Sequence, residues 1–128
     1  MAAEEEEEMA DDPELIELNR EIAVRETAGD RDWFANVLLT NPFVMRRAGL
    51  VYDDRDQFLD KVAASAERRT EDIVVVFRTD RTAMVTCTVH MEHEDGSWAA
   101  YRNARLFVRN EPDLSWQLFA WANDPAKQ

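Results

Sequence analysis

The stretch TAMVTCTVHMEHEDGSWAAYRNARLFVR, residues 82–109, decides the fold of this chain. Its first part alternates between apolar and polar residues, and the apolar set is Ala83, Val85, Cys87, Val89 and Met91. This period of two predicts a strand from Thr82 to about Glu92 that turns its apolar face toward helices. Glu94-Asp95-Gly96 is typical of a turn, and a second strand is predicted from Trp98 to Arg109.

Two further strands complete the predicted sheet. The β-branched run from Ile73 to Arg78 comes before the pair, after which the charged turn Asp80-Arg81 follows. The segment Leu114 to Asn123 comes last, after the Asn110–Asp113 turn. The residues before Glu71 favour helix. Helices followed by a long-stranded antiparallel sheet predict an α+β fold, in which the helices cover the apolar face of the sheet and a pocket can form between them.

Helix caps mark the first two helices. Asp12 and Pro13 suit a helix N-terminus, so the first helix is predicted from Pro13 to about Ala28, where Gly29 ends it. Asp30 can cap a second helix that carries Trp33, Phe34, Val37 and Leu38 and stops at Asn41-Pro42.

The third helix follows a short strand. Phe43 to Arg46 is predicted to be extended, and Gly49 to lie in a turn. Asp53-Asp54 caps the third helix, which carries Phe58, Leu59 and Val62 and is expected to fade between Ser65 and Arg69.

Charge is distributed unevenly along the 128 residues. The formal net charge is −12, but residues 1–12 hold seven acidic side chains and no basic one, so the remainder carries −5. Residues 1–12 are expected to be a solvated acidic leader or a fraying extension of the first helix, either a natural arm or an artificial one. Residues 13–125 are expected to form one domain, with 126–128 as a tail.

Composition excludes several classes of function. A net negative chain argues against nucleic-acid binding, which needs clustered Lys and Arg. No apolar run reaches the roughly 20 residues that cross a membrane, and no secretory signal begins the chain, so a cytoplasmic location is expected. The single Cys87 rules out an internal disulfide, and its surroundings do not suggest an activated nucleophile. The two histidines, His90 and His93, are poorly spaced for a metal, and no metal or cofactor is predicted.

Four segments resemble the nuclear transport factor 2-like superfamily, and within it the uncharacterised bacterial branch of polyketide cyclase-like (SnoaL-like) proteins. They are Ala28-Gly29-Asp30, residues 54–59 (DRDQFL), residues 101–109 (YRNARLFVR) and residues 116–123 (WQLFAWAN). The resemblance implies a cystatin-like fold: a cone-shaped, curved, mainly antiparallel (mixed) sheet wrapped around three N-terminal helices. It also implies a cavity open at one end and a homodimer formed through the sheets.

The first helix supplies the candidate acid or base. A helical step of about 100° puts Glu26 about 20° and Asn19 about 40° from Leu15, within the apolar stripe of the helix. An enclosed Glu26 could act as a general acid or base, as ionisable groups in apolar cavities do in the enzymes of this superfamily. Alternatively, it extends past the edge of the core and pairs with an arginine. Asn19 suits a helix-to-sheet hydrogen bond better than a ligand contact.

The other candidate residues are assigned to a role by the face of the sheet on which they are predicted to lie. Thr86, Thr88 and His90 lie opposite the apolar stripe and are assigned to the dimer surface, as are Arg105 and Phe107. Arg102 and Ala104 are assigned to the inner face. There Arg102 could bind an anionic ligand or pair with Glu26, and the small Ala104 would leave space beneath the sheet.

Two functions of different class remain open. One is a homodimer that binds a small hydrophobic or aromatic molecule without cofactor in an apolar pocket, lined by Asn19, Trp33, Phe34, Tyr52, Phe58, Ala104 and Trp121. The other is a cofactor-free lyase, isomerase or hydrolase that uses Glu26, with Arg102, Tyr52 or Asn103 as orienting partners. The residue sets of the superfamily's epoxide hydrolases, dehydratase and isomerase are not matched.

Overall fold

Three helices pack on one face of a six-stranded sheet in the computed structural model, which describes residues 12–39, 43–47 and 51–126. In chain order the elements are α1 (Pro13–Ala28), α2 (Arg31–Val37), β1 (Val44–Arg47), β2 (Val51–Asp53), α3 (Arg55–Lys61), β3 (Arg68–Arg78), β4 (Thr82–Glu92), β5 (Trp98–Val108) and β6 (Gln117–Pro125). The predicted leader up to residue 11, the Asn41-Pro42 stop, the Gly49 turn and residues 127–128 lie outside the described residues.

The predicted caps are confirmed. Asp12 accepts a hydrogen bond from the Leu15 amide, Asp30 from the Trp33 amide and Asp54 from the Gln57 amide. Each satisfies an amide that has no partner within its helix. Two helix ends were placed too late: α2 ends at Val37, before Asn41-Pro42, and α3 ends at Lys61 rather than near Ser65.

The sheet is mixed and open. Its order is β2-β1-β6-β5-β4-β3, with β1 parallel to β6 and every other neighbouring pair antiparallel. Register shifts in β3 and between β5 and β6 mark bulges, which bend a sheet and increase its twist. The predicted α+β class and the curved sheet around three helices are confirmed. The prediction placed β3 too late and omitted β2, which is only three residues long.

The sheet turns an apolar inner face toward the helices. The buried side chains of this core include Leu15 and Ile22 of α1, Phe34, Phe58, and Val85 and Leu118 of the sheet. Phe58 packs edge-on against Phe34 and Phe43, with ring centroids 5.2 and 5.9 Å apart, and lies 5.6 Å from the Trp121 ring. Burial of such large side chains contributes about 1.5–3 kcal/mol each, so this cluster is the main source of stability.

The predicted faces of β4 are confirmed, but those of β5 are reversed. Register pairs Val85 with Arg105 and Ala83 with Phe107. Directly opposed residues in an antiparallel pair share a face, so Arg105 and Phe107 lie on the inner face. Both are 0% exposed, and their assignment to a dimer surface is wrong.

Arg102 is consequently on the outer face. It pairs in register with Thr88, is exposed, and cannot meet Glu26 inside the fold. The prediction had placed the small alanines of β5 inward to leave space. The short turn after Glu92 instead pairs Glu92 with Trp98, which fixes Ala100, Arg102 and Ala104 on the outside.

The C-terminal turn of α1 is held against the chain between α3 and β3. The Ser65 amide donates to the Thr27 carbonyl (3.0 Å), and the Thr27 hydroxyl donates to the Ala66 carbonyl (3.0 Å). Gly29 ends the helix at φ +68°, and its amide and that of Asp30 donate to the carbonyls of Glu26 and Arg25. These bonds place Glu26 beside the start of β3.

We expect Gly29→Ala to destabilise the protein more than Gly96→Ala. Both glycines have positive φ, which costs a residue with a Cβ roughly 1–2 kcal/mol. At Gly29 the Cβ would also lie 2.5 Å from the Ala63 carbonyl carbon and closer still to the Ala64 amide, whereas at Gly96 it meets open space. The overpacking adds roughly 1–3 kcal/mol. Urea unfolding followed by tryptophan fluorescence measures the difference, and equal losses would contradict this packing.

Candidate functional site

A cavity of about 250 Å³ lies between the C-terminal half of α1 and the inner face of the sheet. We call it the inner cavity, and its lining residues are Glu26, Arg47, Arg68, Val89, Met91, Tyr101, Asn103 and Asn123. They come from one helix and from strands β1, β3, β4, β5 and β6. The lining is therefore not the apolar one that was predicted, because charged and amide side chains stand beside Val89, Met91 and Tyr101.

Glu26 supplies the carboxyl group of the inner cavity. Its side chain is 16% exposed, and Oε1 lies 3.9 Å from Nε of Arg68, a loose ion pair. Its carboxylate accepts no hydrogen bond from the residues that the structure describes. Burial raises the pKa of the Glu26 carboxyl, while the positive charges of Arg68, Arg105 and Arg47 oppose that rise. At its predicted position on the helix, Glu26 thus has a largely enclosed carboxyl and also an arginine neighbour, Arg68.

Arg68 stands at the start of β3, within the segment predicted to contain the end of the third helix. Its Nη1 donates to the Ser65 hydroxyl (2.8 Å) and to the Ala66 carbonyl (3.0 Å), both neutral acceptors. A second cavity of about 180 Å³, here called the mouth cavity, lies on the other side of Glu26, Arg47 and Arg68. These three side chains line both cavities and form the boundary between them.

Arg47 is anchored by a buried carboxylate. Its Nε donates to Oδ2 of Asp53 at 2.5 Å, and Lys61 donates to Oδ1 of the same group at 2.8 Å. Asp53 is 2% exposed. The bonds from Lys61 and Arg47 outweigh the effect of burial and lower the pKa of Asp53. The terminal nitrogens of Arg47 make no hydrogen bond to a described residue, and its side chain lines the inner cavity.

Arg105 lies directly behind the inner cavity and is fully buried. Its Nη1 donates to the backbone carbonyl (3.3 Å) and side-chain oxygen (3.1 Å) of Asn19, and its Nη2 to Oδ1 of Asn103 (3.3 Å). The guanidinium also lies 4.7 Å from the Trp121 ring centroid. Every acceptor is neutral, and its Nε has no partner among the described residues.

Asn103 joins this buried network to the cavity. Besides Arg105, the Trp121 indole donates to its Oδ1 at 2.6 Å, while its own amide group donates to the Tyr101 carbonyl at 3.2 Å. Its neighbour in register, Asn123, has a buried Oδ1 that accepts no hydrogen bond from the described residues. The network fixes the back wall, and Asn123 leaves one acceptor there unsatisfied.

Several residues predicted to line a pocket belong to the core instead. Asn19 and Phe34 are 0% exposed, and Asn19 makes the helix-to-sheet hydrogen bond that the sequence analysis favoured. Trp33 packs edge-on against Phe34. Phe58 lines the mouth cavity, and the Trp121 ring is buried in the core beside Phe58 and Arg105. Large aromatic side chains fill the centre of the core, so the inner cavity is bordered mainly by smaller and polar side chains.

The outer face of the sheet carries the remaining candidates. Thr86, Thr88, Arg102 and Ala104 line a groove of about 470 Å³, here called the outer groove, which Asp72, Val74, Ala122 and Asp124 complete. Tyr52 is 62% exposed on this face, beside Ala104 and Ala120. The placement of Ala104 and Tyr52 in an inner pocket is therefore wrong. His90 lies 3.2 Å from Glu71 at the edge of the same face.

Other chemistry finds little support among the described residues. No group of three or more His, Cys, Asp or Glu side chains in this part of the chain could hold a metal ion. Cys87 is a buried core residue, and burial raises the pKa of its thiol, as expected for an unactivated cysteine. None of the described helices combines the length and apolarity needed to cross a membrane.

Sequence comparison finds no matching protein family and no curated relative. Solved structures do resemble the chain. A nuclear transport factor 2-like protein of unknown function in nutrient uptake from Rhodospirillum rubrum is 15% identical, with a TM-score of 0.70 over 83% of this chain and 93% of that one. A protein with a cystatin-like fold from Caulobacter vibrioides is 15% identical, with a TM-score of 0.72 over 89% and 88%.

A third similar structure is a proposed dehydratase of the nuclear transport factor 2-like family from Streptomyces avermitilis. It is 19% identical, with a TM-score of 0.72 over 90% of this chain and 95% of that one. At these identities the likeness concerns the fold and not the activity. The three helices, the mixed curved sheet and these comparisons together give the chain the nuclear transport factor 2-like fold.

Proposed function

We propose that this protein binds a small molecule in the inner cavity, beside the Glu26 carboxyl. The observation that carries the proposal is a largely buried carboxyl that faces open space without a described hydrogen-bond partner. Polar groups in protein interiors are nearly always hydrogen-bonded, so a largely enclosed carboxyl whose nearest described partner is Arg68 at 3.9 Å has room for a ligand or bound water. The unsatisfied Asn123 oxygen on the same wall supports this.

The lining of the site favours a small, partly apolar ligand. Val89, Met91 and Tyr101 offer apolar contact, and the polar groups of Glu26, Asn103 and Asn123 can fix its orientation. About 250 Å³ is slightly below the range of roughly 300–1,000 Å³ typical of ligand pockets, which suits a molecule of one or two rings.

Methionine methyl groups give a test of the binding proposal. Met91 lines the inner cavity, whereas Met84 lies on the outer face. We expect small aromatic and alicyclic compounds, screened by NMR with labelled methionine methyls, to shift the Met91 signal and leave Met84 unchanged. A broad screen in which no compound moves Met91, or in which hits move only Met84, would rule out the inner cavity as the binding site.

A cofactor-free lyase, isomerase or hydrolase is the second candidate. The specific observation in its favour is that burial raises the pKa of Glu26, which brings a carboxyl closer to the neutral range where it can both accept and release a proton. Arg47 and Arg68 stand next to it and can stabilise negative charge that develops on a substrate oxygen. The orienting role predicted for Arg102 is excluded by its outer position.

Proton abstraction next to a carbonyl offers a direct test of that chemistry. With 2-tetralone in D₂O, the Glu26 carboxylate would remove an α-proton, leave an enolate, and return deuterium to carbon after exchanging with solvent. We expect catalysed exchange, followed by NMR, to fall roughly 10²–10⁴-fold in Glu26→Gln, the usual contribution of a general base. Exchange at equal rates in the two proteins would exclude Glu26 as the base.

We also propose a homodimer formed through the outer face. Small side chains at Ala104, Ala120 and Ala122 leave a depression there, and exposed apolar residues stand around it, including Val44, Tyr52 and Val74. Contiguous exposed apolar surface on a sheet favours a protein partner. A second copy of the chain would cover this surface symmetrically.

Substitutions at two exposed valines test whether the protein is a dimer. Val74 is 52% exposed beside the outer groove, and Val24 is 59% exposed on α1. We expect Val74→Glu to shift the sedimentation coefficient from dimer to monomer at micromolar concentration, because it would bury a charge in the interface. Val24→Glu should leave the dimer intact. A wild-type protein that sediments as a monomer would overturn the proposal.

A further inference from the structure

Basic side chains outnumber carboxylates around the inner and mouth cavities, although the chain as a whole is acidic. Around the inner and mouth cavities, four cations (Arg47, Lys61, Arg68 and Arg105) stand with two carboxylates, Glu26 and Asp53. The whole chain carries a net charge of −12. Because Asp53 is already bound by both Arg47 and Lys61, Glu26 is the only carboxylate among these that faces Arg68.

The burial of Arg105 makes this excess of positive charge energetically unfavourable. A buried guanidinium is normally paired with a carboxylate, yet the acceptors of Arg105 are the neutral oxygens of Asn19 and Asn103. Fields of buried charges are weakly screened, so Arg105 contributes positive potential to the cavity that Asn103 separates from it.

Arg47 and Arg68 are positioned to meet an anion directly. Both side chains line the inner cavity, where Arg47 is held from behind by Asp53 and Arg68 by Ser65 and Ala66. Guanidinium groups bind carboxylates through paired, charge-assisted hydrogen bonds, so two arginines at one cavity form a suitable recognition site.

We propose that the ligand of the inner cavity carries a carboxylate, bound by Arg47 and Arg68 next to Glu26, an inference that rests on the proposed function of this cavity. A single negative charge fits better than a dianionic phosphate, because Glu26 shares the space. A neutral Glu26 would donate a hydrogen bond to such a ligand, whereas an ionised one would repel it. The apolar part of the ligand would then contact Val89, Met91 and Tyr101.

Two matched probes test this charge preference. We expect 2-naphthoate to bind at least tenfold more tightly than its neutral analogue 2-naphthamide in calorimetric titrations of the full chain, with Met91 shifting in both complexes. Arg68→Met should weaken naphthoate binding roughly 10- to 100-fold, the range for a hydrogen bond to a charged group, and should affect the amide little. Arg68→Lys keeps the charge and should retain most of the preference.

Two further variants serve as controls of location and sign. Arg69 is adjacent in sequence but points to the outer face, where it stacks 4.5 Å from the Trp98 ring, so Arg69→Met should leave the affinity for naphthoate unchanged. Glu26→Gln keeps a hydrogen-bond donor and removes the competing charge, so it should tighten naphthoate binding severalfold. An Arg69 effect as large as that of Arg68 would indicate general surface attraction and overturn the proposal.

The outcomes separate this inference from the proposed function. If the amide binds as well as naphthoate and shifts Met91, the cavity binds small molecules but the anion preference is wrong. If neither probe binds or shifts Met91, both the carboxylate site and the binding function fail for ligands of this class.

Discussion

The contact between the end of α1 and the segment that leads into β3 is the constraint on which the site depends. Gly29 passes so close to Ala63 and Ala64 that a Cβ there would clash with their backbone, and Thr27 and Ser65 join the two segments by hydrogen bonds. This contact sets Glu26, in the last turn of the helix, beside Arg68. A helix that ended elsewhere would direct the carboxyl toward solvent or into the apolar core.

The curved sheet supplies the opposite wall and its charge. Bulges in β3 bend the sheet around the helices, and the register of β4 and β5 brings Arg105 and Asn103 inward. Apolar side chains such as Leu15, Phe34 and Leu118 fill the rest of the interior, so the remaining space lies next to polar groups. The result is a small cavity lined by two arginines and one glutamate, in a chain whose net charge is −12.

Local signals in the sequence predicted the helices and strands, whereas pairing between distant segments determines which side chains line the inner cavity. The caps Asp12, Asp30 and Asp54 and the alternation in β4 predicted helices and strands because each depends on neighbouring residues. Glu26 could be placed on the inner stripe of α1 for the same reason.

The remaining site residues depended on contacts between distant segments. The face of β5 follows from pairing across the turn: a pair between Glu92 and Trp98 would have placed Arg105 and Asn103 inward. Arg47 and Arg68 had no local signal at all, because only folding brings β1 and β3 to the end of α1. The short β2 was missed because three residues give no measurable periodicity.

Glu26 is desolvated within a cavity, and the neighbouring arginines oppose the resulting rise in its pKa only in part. A site-specific ¹³C NMR titration of the Glu26 carboxyl tests it most directly. We predict a pKa above the ordinary glutamate value of about 4.3, and a further rise in Arg68→Met, because Arg68 is the strongest of the charges that favour the ionised form. A Glu26 pKa at or below the ordinary value would contradict it.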